Sequence, residues 1–342
     1  MSQWFFVLLF FTPLTPAKTE PVILKRFHFT ANKMGSPFNI ILYHSDSAEA
    51  VAIANECFLL VDSLNAVFSD YGNETEVGRL ALQHPNEPAK VSEELLNVIE
   101  FSRKAWISSG KTFDITIGSL THLWRKANGE KRFPSPAEIR NAKEASGFSN
   151  LLTQAKQQKI VFLKNGMLLD FGGIVKGYAA QKIIDHLKEK NISIALADAG
   201  GDIAMSNPPP GKKGWSIGIN LPENASEAWD TKLSLGNCAV ATSGDIYQFI
   251  LHNGRKYSHI INPATGYGVT SQRNVTVIAK DGATADWLAT ACSILPLKNA
   301  LTLAKKENAA LFVAVMEKGK INVYKTPGFD DYFERNETTK VH

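Results

Sequence analysis

The period of apolar and polar positions changes repeatedly along this 342-residue chain, and the changes mark out its elements. Residues 37–43 read as a strand, and residues 48–64 place Val51, Ala54, Phe58, Val61 and Asn65 near helical spacing. Residues 92–109 read as a second helix. Ser135-Pro136-Ala137-Glu138 is a capping box with proline at the first helical position, which predicts a helix running to about residue 145. Apolar segments at 159–163 and 167–171 flank Asn165-Gly166, a pair suited to a tight hairpin turn, and so predict a hairpin there. A helix over 174–189 follows, then a strand over 192–198 and the turn Ala199-Gly200-Gly201-Asp202. Further strands are expected at 215–220, 232–235, 239–242, 247–251 and 257–262, the last two flanking His252-Asn253-Gly254-Arg255. The chain closes with a strand at 274–279, helices at 283–295 and 297–307, a hairpin around 317–320 and a mobile tail over 327–342. Irregular alternation, several hairpins and no repeat predict an α+β fold with mainly antiparallel or mixed sheets and packed helices.

Composition narrows the class. A chain with 44% hydrophobic and 20% charged residues is ordinary for a globular protein, and a net charge of +4 without a Lys/Arg block leaves no footprint for nucleic acid. Residues 4–11 form an apolar run, and residues 12–17 carry two prolines and an alanine suited to signal cleavage, so export is expected, with residues 1–17 as the signal and a mature start near Lys18. No Lys or Arg precedes the run, and no cysteine follows it to carry a lipid. The run is too short to span a bilayer, which takes about 20 apolar residues, and no other such stretch is evident. Cys57, Cys238 and Cys292 are too few and scattered for a disulfide framework or a zinc site and read as buried thiols. Asn73, Asn224, Asn274 and Asn336 head glycosylation-type triplets, which such short patterns also produce by chance.

Four stretches carry candidate chemistry. Leu168 to Ala180 reads as strand, Gly172-Gly173 turn and helix start with Lys176 in the first turn, the arrangement that gathers free N–H groups and the helix dipole around an anion. The spacing departs from a Walker A loop, since Tyr178 and Ala179 follow Gly177, and a glycine pair after a strand serves equally well as a plain tight turn. Asp286 and Thr290 are four residues apart and so share a helix face, where a carboxylate and a hydroxyl offer two hard oxygens to magnesium; a helix-start aspartate and a buried threonine explain them as well. His259 stands in the predicted strand just before the Asn262-Pro263-Ala264-Thr265-Gly266 turn, which makes it the best general-base candidate, although an isolated strand histidine is often merely packed. Tyr71 is an aromatic in a polar loop, either filling a local gap or stacking on a flat ligand.

Taken together and in order, MGS (34–36), FSDYGNETEVGRL (68–80), FDITIGSLTHLW (113–124), LDFGGIVKGYAA (169–180), ADAGGD (197–202), ATSGD (241–245), YSHIINPATGYGV (257–269) and TADWLATA (284–291) resemble the motifs of the ApbE family of FAD:protein FMN transferases. The resemblance implies a T-fold-related architecture over residues 18–342, either one domain or two interlocked subdomains. It implies an exported, periplasmic protein; where the family often has a lipid-anchored cysteine, this sequence has none. The implied reaction moves the FMN half of FAD, with magnesium, onto a Thr or Ser hydroxyl of a target protein, often a subunit of a membrane redox complex, and releases AMP. Carried over residue by residue, magnesium falls on the Gly173 carbonyl, the Asp286 carboxylate and the Thr290 hydroxyl. FAD falls on Met34, Tyr71, Thr112, Phe113, Asp114, Asp170, Lys176 and the backbone at Ile260. In this chemistry His259 would take the proton of the incoming hydroxyl. Two rivals share the site: hydrolysis of FAD to FMN and AMP, and a non-catalytic flavin carrier.

Overall fold

The computed structural model describes residues 23–219, 232–244, 249–317 and 320–334. Eight antiparallel strands form the main sheet and lie side by side in chain order: Lys25–Lys33, Ser36–His44, Ala195–Ala199, Ile203–Met205, Cys238–Gly244, Arg273–Ala279, Ala310–Glu317 and Lys320–Lys325. Neighbours along the chain are neighbours in the sheet even where a long insertion separates them, as between His44 and Ala195. Alternation sorts the side chains onto two faces. Phe38, Ile40 and Leu42 enter the larger core, under the helices Ser47–Phe68, Val175–Glu189, Gly282–Ile294 and Leu297–Lys306. Leu196, Met205, Val240, Ile278 and Phe312 enter a second core, covered by the hairpin Trp215–Gly218 with Lys232–Leu235 and by the short turn Phe329–Tyr332. Both faces of Arg273–Ala279 are covered, so all seven of its residues are buried.

A third, smaller cluster holds the site loops. Leu120 and Trp124 of the helix Gly118–Gly129 pack with Ile139 and Ile261, and the Trp124 indole N–H donates to the Gly266 carbonyl at 2.9 Å. This bond fixes the 257–269 loop to the helix.

The mainly antiparallel α+β fold is the one expected from the sequence, as is the capping box: Ser135 Oγ accepts from Glu138 N, and the Glu138 carboxylate accepts from Ser135 N. Five expectations need correction. Residues 167–171 do not form a hairpin with Lys159–Phe162, which pairs instead with Leu151–Gln154 and Pro88–Lys90. The tight two-residue turn needs two left-handed residues, and only Gly166 is one, while 167–171 are drawn off to bond Ile115 and Gly118. His259 lies in an exposed bend, because the strand Arg255–Ser258 ends before it. In the helix Ser47–Phe68 the buried stripe runs through Ala50, Ile53, Ala54, Cys57, Val61 and Leu64, leaving Val51 exposed, because the sheet lies one residue around the helix from the stripe chosen by spacing. That same helix has the length and apolar character to cross a membrane, contrary to expectation, although its buried stripe packs on the main sheet. The start of the supposed tail is folded, with Phe329 fully buried in the second core. Cys57 and Cys292 are buried as expected and Cys238 is half-buried. The signal segment, Asn224, Asp245, Asn336 and the end of the tail fall outside the described residues.

Candidate active site

Two helices cross so closely that only glycine fits at their contact. A Cβ on Gly177 would lie 2.1 Å from the Gly282 carbonyl oxygen, and one on Gly282 would lie 2.0 Å from the Gly177 carbonyl oxygen. The crossing brings the start of Val175–Glu189 against the first turns of Gly282–Ile294, and Asp286 Oδ2 accepts from the Gly177 backbone N–H at 3.0 Å. One turn along the second helix, Thr290 Oγ1 lies 2.9 Å from where a Gly173 Cβ would stand. Gly173, Asp286 and Thr290 therefore meet in one place. Phe113 closes the back of it, near Gly173 and packed on Trp287 with ring centroids 6.0 Å apart.

Lys176 projects toward a carboxylate cluster. Its Nζ lies 2.9 Å from Asp202 Oδ2, and Asp286 and Asp198 add to the negative field around it. Burial pushes the ammonium pKa down, but these three carboxylates outweigh it and the net shift is upward. Burial pushes the Asp286 carboxyl well above the usual carboxylate range and Asp202 adds to the rise, while Lys176 and the Gly177 N–H pull it back only in part. Burial likewise raises Asp202, with Asp198 adding and Lys176 opposing. Three carboxylates thus share one ammonium, and the deficit of positive charge falls on Asp286. A divalent cation supported by Asp286, Thr290 and the Gly173 carbonyl fits that deficit, and hard oxygens suit magnesium. Among the described residues no three His, Cys, Asp or Glu side chains form a metal cage.

The other predicted residues lie on several further elements. Met34 and Gly35 form the left-handed turn, with φ of 48° and 69°, between the first two strands of the sheet. The Gly200-Gly201 turn packs on Ser36, so the two turns share one end of the sheet. Asp170 spends one oxygen on the Gly172 N–H at 2.7 Å, which shapes the Gly-Gly turn. Asp114 is turned inward: Thr116 N and Oγ1 donate to one oxygen and Phe148 N to the other, and burial raises its pKa against these bonds. Its side chain is occupied in holding the loop, and the Phe113 N–H is likewise given to Ser109 Oγ at 3.0 Å. The Ile260 N–H is given to Ser258 Oγ and its carbonyl accepts from Val269 N, so one carbonyl lone pair remains there. His259, exposed, precedes it on the loop that Trp124 fixes.

Tyr71 is 82% exposed on a loop that is otherwise pinned. Thr75 Oγ1 donates to the Ser69 and Gly72 carbonyls at 2.6 and 3.0 Å. The Arg125 guanidinium lies 4.6 Å from the Tyr71 ring centroid and is held by the Asp70 carboxylate, which His122 Nε2 meets at 2.8 Å. Burial works against the Asp70 charge, but His122 and Arg125 hold its carboxyl at about 2.

Sequence reasoning singled out neither Asp198 and Asp202 nor the Asp70, His122 and Arg125 group. Asp198 and Asp202 sit inside the quoted ADAGGD motif, so their signal was a carboxylate on each side of a glycine pair. Arg125 and His122 are three apart on one helix face, but nothing in the sequence links them to Asp70, more than 50 residues away. A cleft of about 600 Å³ lined by Arg79, Lys90 and Gln158 lies apart from all these residues and holds none of the predicted site.

A family model described as the ApbE family matches residues 34–313. A Klebsiella pneumoniae (strain 342) protein named FAD:protein FMN transferase is 26% identical over 290 residues, which cover 84% of this chain and 89% of that one. A Chlamydia muridarum protein of the same name is 27% identical over 322 residues, covering 92% and 98%. Among solved structures, the apo form of the Pseudomonas stutzeri flavinyl transferase ApbE is 26% identical with a TM-score of 0.80, covering 92% and 98%. The Thermotoga maritima ApbE protein is 28% identical with a TM-score of 0.82, covering 91% and 100%.

Proposed function

Because the chain belongs to the ApbE family, we propose that it is an FAD:protein FMN transferase that moves the FMN half of FAD onto a Thr or Ser hydroxyl of a target protein. A phosphoester bond forms between the acceptor oxygen and the FMN phosphorus, the pyrophosphate P–O bond breaks, and AMP leaves. The observation that carries this reading is the meeting of Gly173, buried Asp286 and Thr290 beside a carboxylate cluster short of positive charge.

Magnesium held by Asp286, Thr290 and the Gly173 carbonyl would supply charge neutralisation at the pyrophosphate oxygens. The chain's own residues do the rest. Lys176, kept protonated by Asp202, Asp286 and Asp198, adds a fixed positive charge beside the phosphates. Tyr71 offers an exposed ring face for a flat ring of FAD, with Thr112 and the Met34-Gly35 turn as the further FAD contacts that the family resemblance implies. His259 accepts the proton of the acceptor hydroxyl as the new bond forms. Its exposure leaves room for a partner protein's side chain. The same exposure admits water, and this is the observation that favours a second reading, hydrolysis of FAD to FMN and AMP.

The apolar run at residues 4–11 supports export to the periplasm, where a subunit of a membrane redox complex would be the acceptor. Incubation with FAD and magnesium, with and without a candidate target, separates the readings. AMP released only with target means transfer, AMP without target means hydrolysis, and no AMP means a carrier.

A further inference from the structure

The proposed function uses Tyr71 as a ring contact but leaves unexplained why an almost fully exposed tyrosine is so closely backed. The guanidinium of Arg125 lies 4.6 Å from its ring centroid, on the helix Gly118–Gly129. Arg125 is itself fixed: NH1 and NH2 both donate to the Asp70 carboxylate, and His122, one turn earlier on the same helix, meets the same carboxylate at 2.8 Å. Asp70 is the residue next to Tyr71, so the clamp returns to the loop that carries the ring. The Asp70 side chain is 13% exposed, against 34% for Arg125, which places the ion pair behind the ring. Thr75 and the contact of Gly78 with the Gly72 carbonyl pin the rest of the loop. A tyrosine filling a local gap would be buried; this ring is held from behind and left open in front.

We infer that Arg125, gripped by the Asp70 carboxylate that His122 also meets, is a positioning residue that sets the Tyr71 ring against a flat ring of FAD, acting through the tyrosine and making no contact with the phosphates. This inference rests on FAD being the substrate. Arg125 contributes by a cation–π contact that orders a solvent-exposed ring before the ligand arrives, which lowers the ordering cost of binding. It touches no reacting atom, so the chemical step at saturating FAD does not depend on it.

The test is a double-mutant cycle read as the Kd for FAD in magnesium buffer, followed by flavin fluorescence, on wild type, Arg125→Gln, Tyr71→Ala and the double variant. Arg125→Gln is expected to raise Kd about tenfold, the scale of a cation–π contact. Tyr71→Ala is expected to raise it at least as much, and adding Arg125→Gln to Tyr71→Ala should change Kd by less than about twofold, because the arginine has lost the group it acts through. Turnover at saturating FAD should stay within about twofold of wild type in Arg125→Gln. Arg125→Lys keeps the charge but loses the fork that grips Asp70; its Kd should fall between, and it answers the question should Arg125→Gln melt early. Equal losses in the wild-type and Tyr71→Ala backgrounds would show that Arg125 meets the ligand directly and overturn the inference, as would an unchanged Kd in Arg125→Gln. Wild-type protein that fails to bind FAD would refute the substrate itself, and this inference with it.

Discussion

Gly177→Ala puts a methyl group where two helices leave no space, at the point that assembles the site. The new Cβ would stand 2.1 Å from the Gly282 carbonyl oxygen and 2.7 Å from Asp286 Cβ. A carbon resting against a carbonyl oxygen needs roughly 3.3 Å, so the helices must part by about 1 Å. Two effects compete. Alanine gains ~1 kcal/mol over glycine in helix propensity, whereas overpacking costs ~1–3 kcal/mol or more. The obstacle is backbone on a second helix and cannot rotate aside, so overpacking wins, with a net loss of up to about 2 kcal/mol and a fall in Tm of up to roughly 3 °C. The functional loss should be larger. Asp286 accepts the Gly177 N–H at 3.0 Å, and a displacement of about 1 Å between the Gly173 turn and Asp286 is expected to cost on the order of 100-fold in turnover. Thermal unfolding and magnesium-dependent AMP release, measured on the same preparation, check both. Gly282→Ala meets the mirror-image clash at 2.0 Å and should behave alike, with the double variant well short of additive. An alanine variant with wild-type Tm and turnover would refute the claim that this crossing holds the site.

The remaining predictions are briefer. Lys176→Met should weaken FAD binding and lower stability by about 3 kcal/mol, since it strands Asp202 and Asp286 without their shared cation, and Asp202→Asn added to it should recover much of the stability. Denaturant melts of the single and double variants check this, and a stable Lys176→Met with unchanged FAD affinity would sink it. His259→Asn should lower transfer by ~10²- to 10⁴-fold while FAD affinity and the magnesium requirement persist; single-turnover AMP release near wild type would place the base elsewhere. Asp70 sits at about 2 in the folded chain, below its unfolded value of about 3.9, so it contributes stability that is fully present above about pH 4 and lost as pH falls toward 2. Its contribution is at most about 2 kcal/mol after some screening of the half-exposed Arg125 partner. Wild type should therefore lose more stability than Asp70→Asn between pH 5 and pH 2, and equal losses would contradict the assignment.

Much of this is legible in the sequence, and the remainder has physical reasons. Much of the strand and helix order followed from periodicity, although the strands Lys25–Lys33 and Ile203–Met205 and the helix Gly118–Gly129 did not; the Asp286 and Thr290 pair followed from the spacing that puts residues four apart on one helix face. Gly172-Gly173 was legible as a turn, but its partner came only from the family resemblance and not from periodicity or spacing: the contact with Thr290 depends on a helix crossing more than 100 residues along the chain. Asn165-Gly166 misled because turn chemistry is local, and 167–171 gain more by bonding Ile115 and Gly118 than by closing a hairpin. His259 read as a strand residue because Tyr257 to Ile261 is rich in β-formers, while the turn that follows bends the chain after Ser258. Lys176 was legible as a cation at a helix start, but not its ion pair with Asp202, because the sheet register sets the facing turn.

The central claim is magnesium-supported transfer of FMN at the Asp286 site, and one measurement tests it most directly: AMP released from FAD at limiting magnesium, with target present, by wild type and by Asp286→Ala, with the target's mass read in the same reaction. The account predicts that wild type releases AMP in step with a gain of FMN mass on the target, and that Asp286→Ala, deprived of the one carboxylate in the proposed metal set, releases none. Full AMP release and target modification by Asp286→Ala would contradict it.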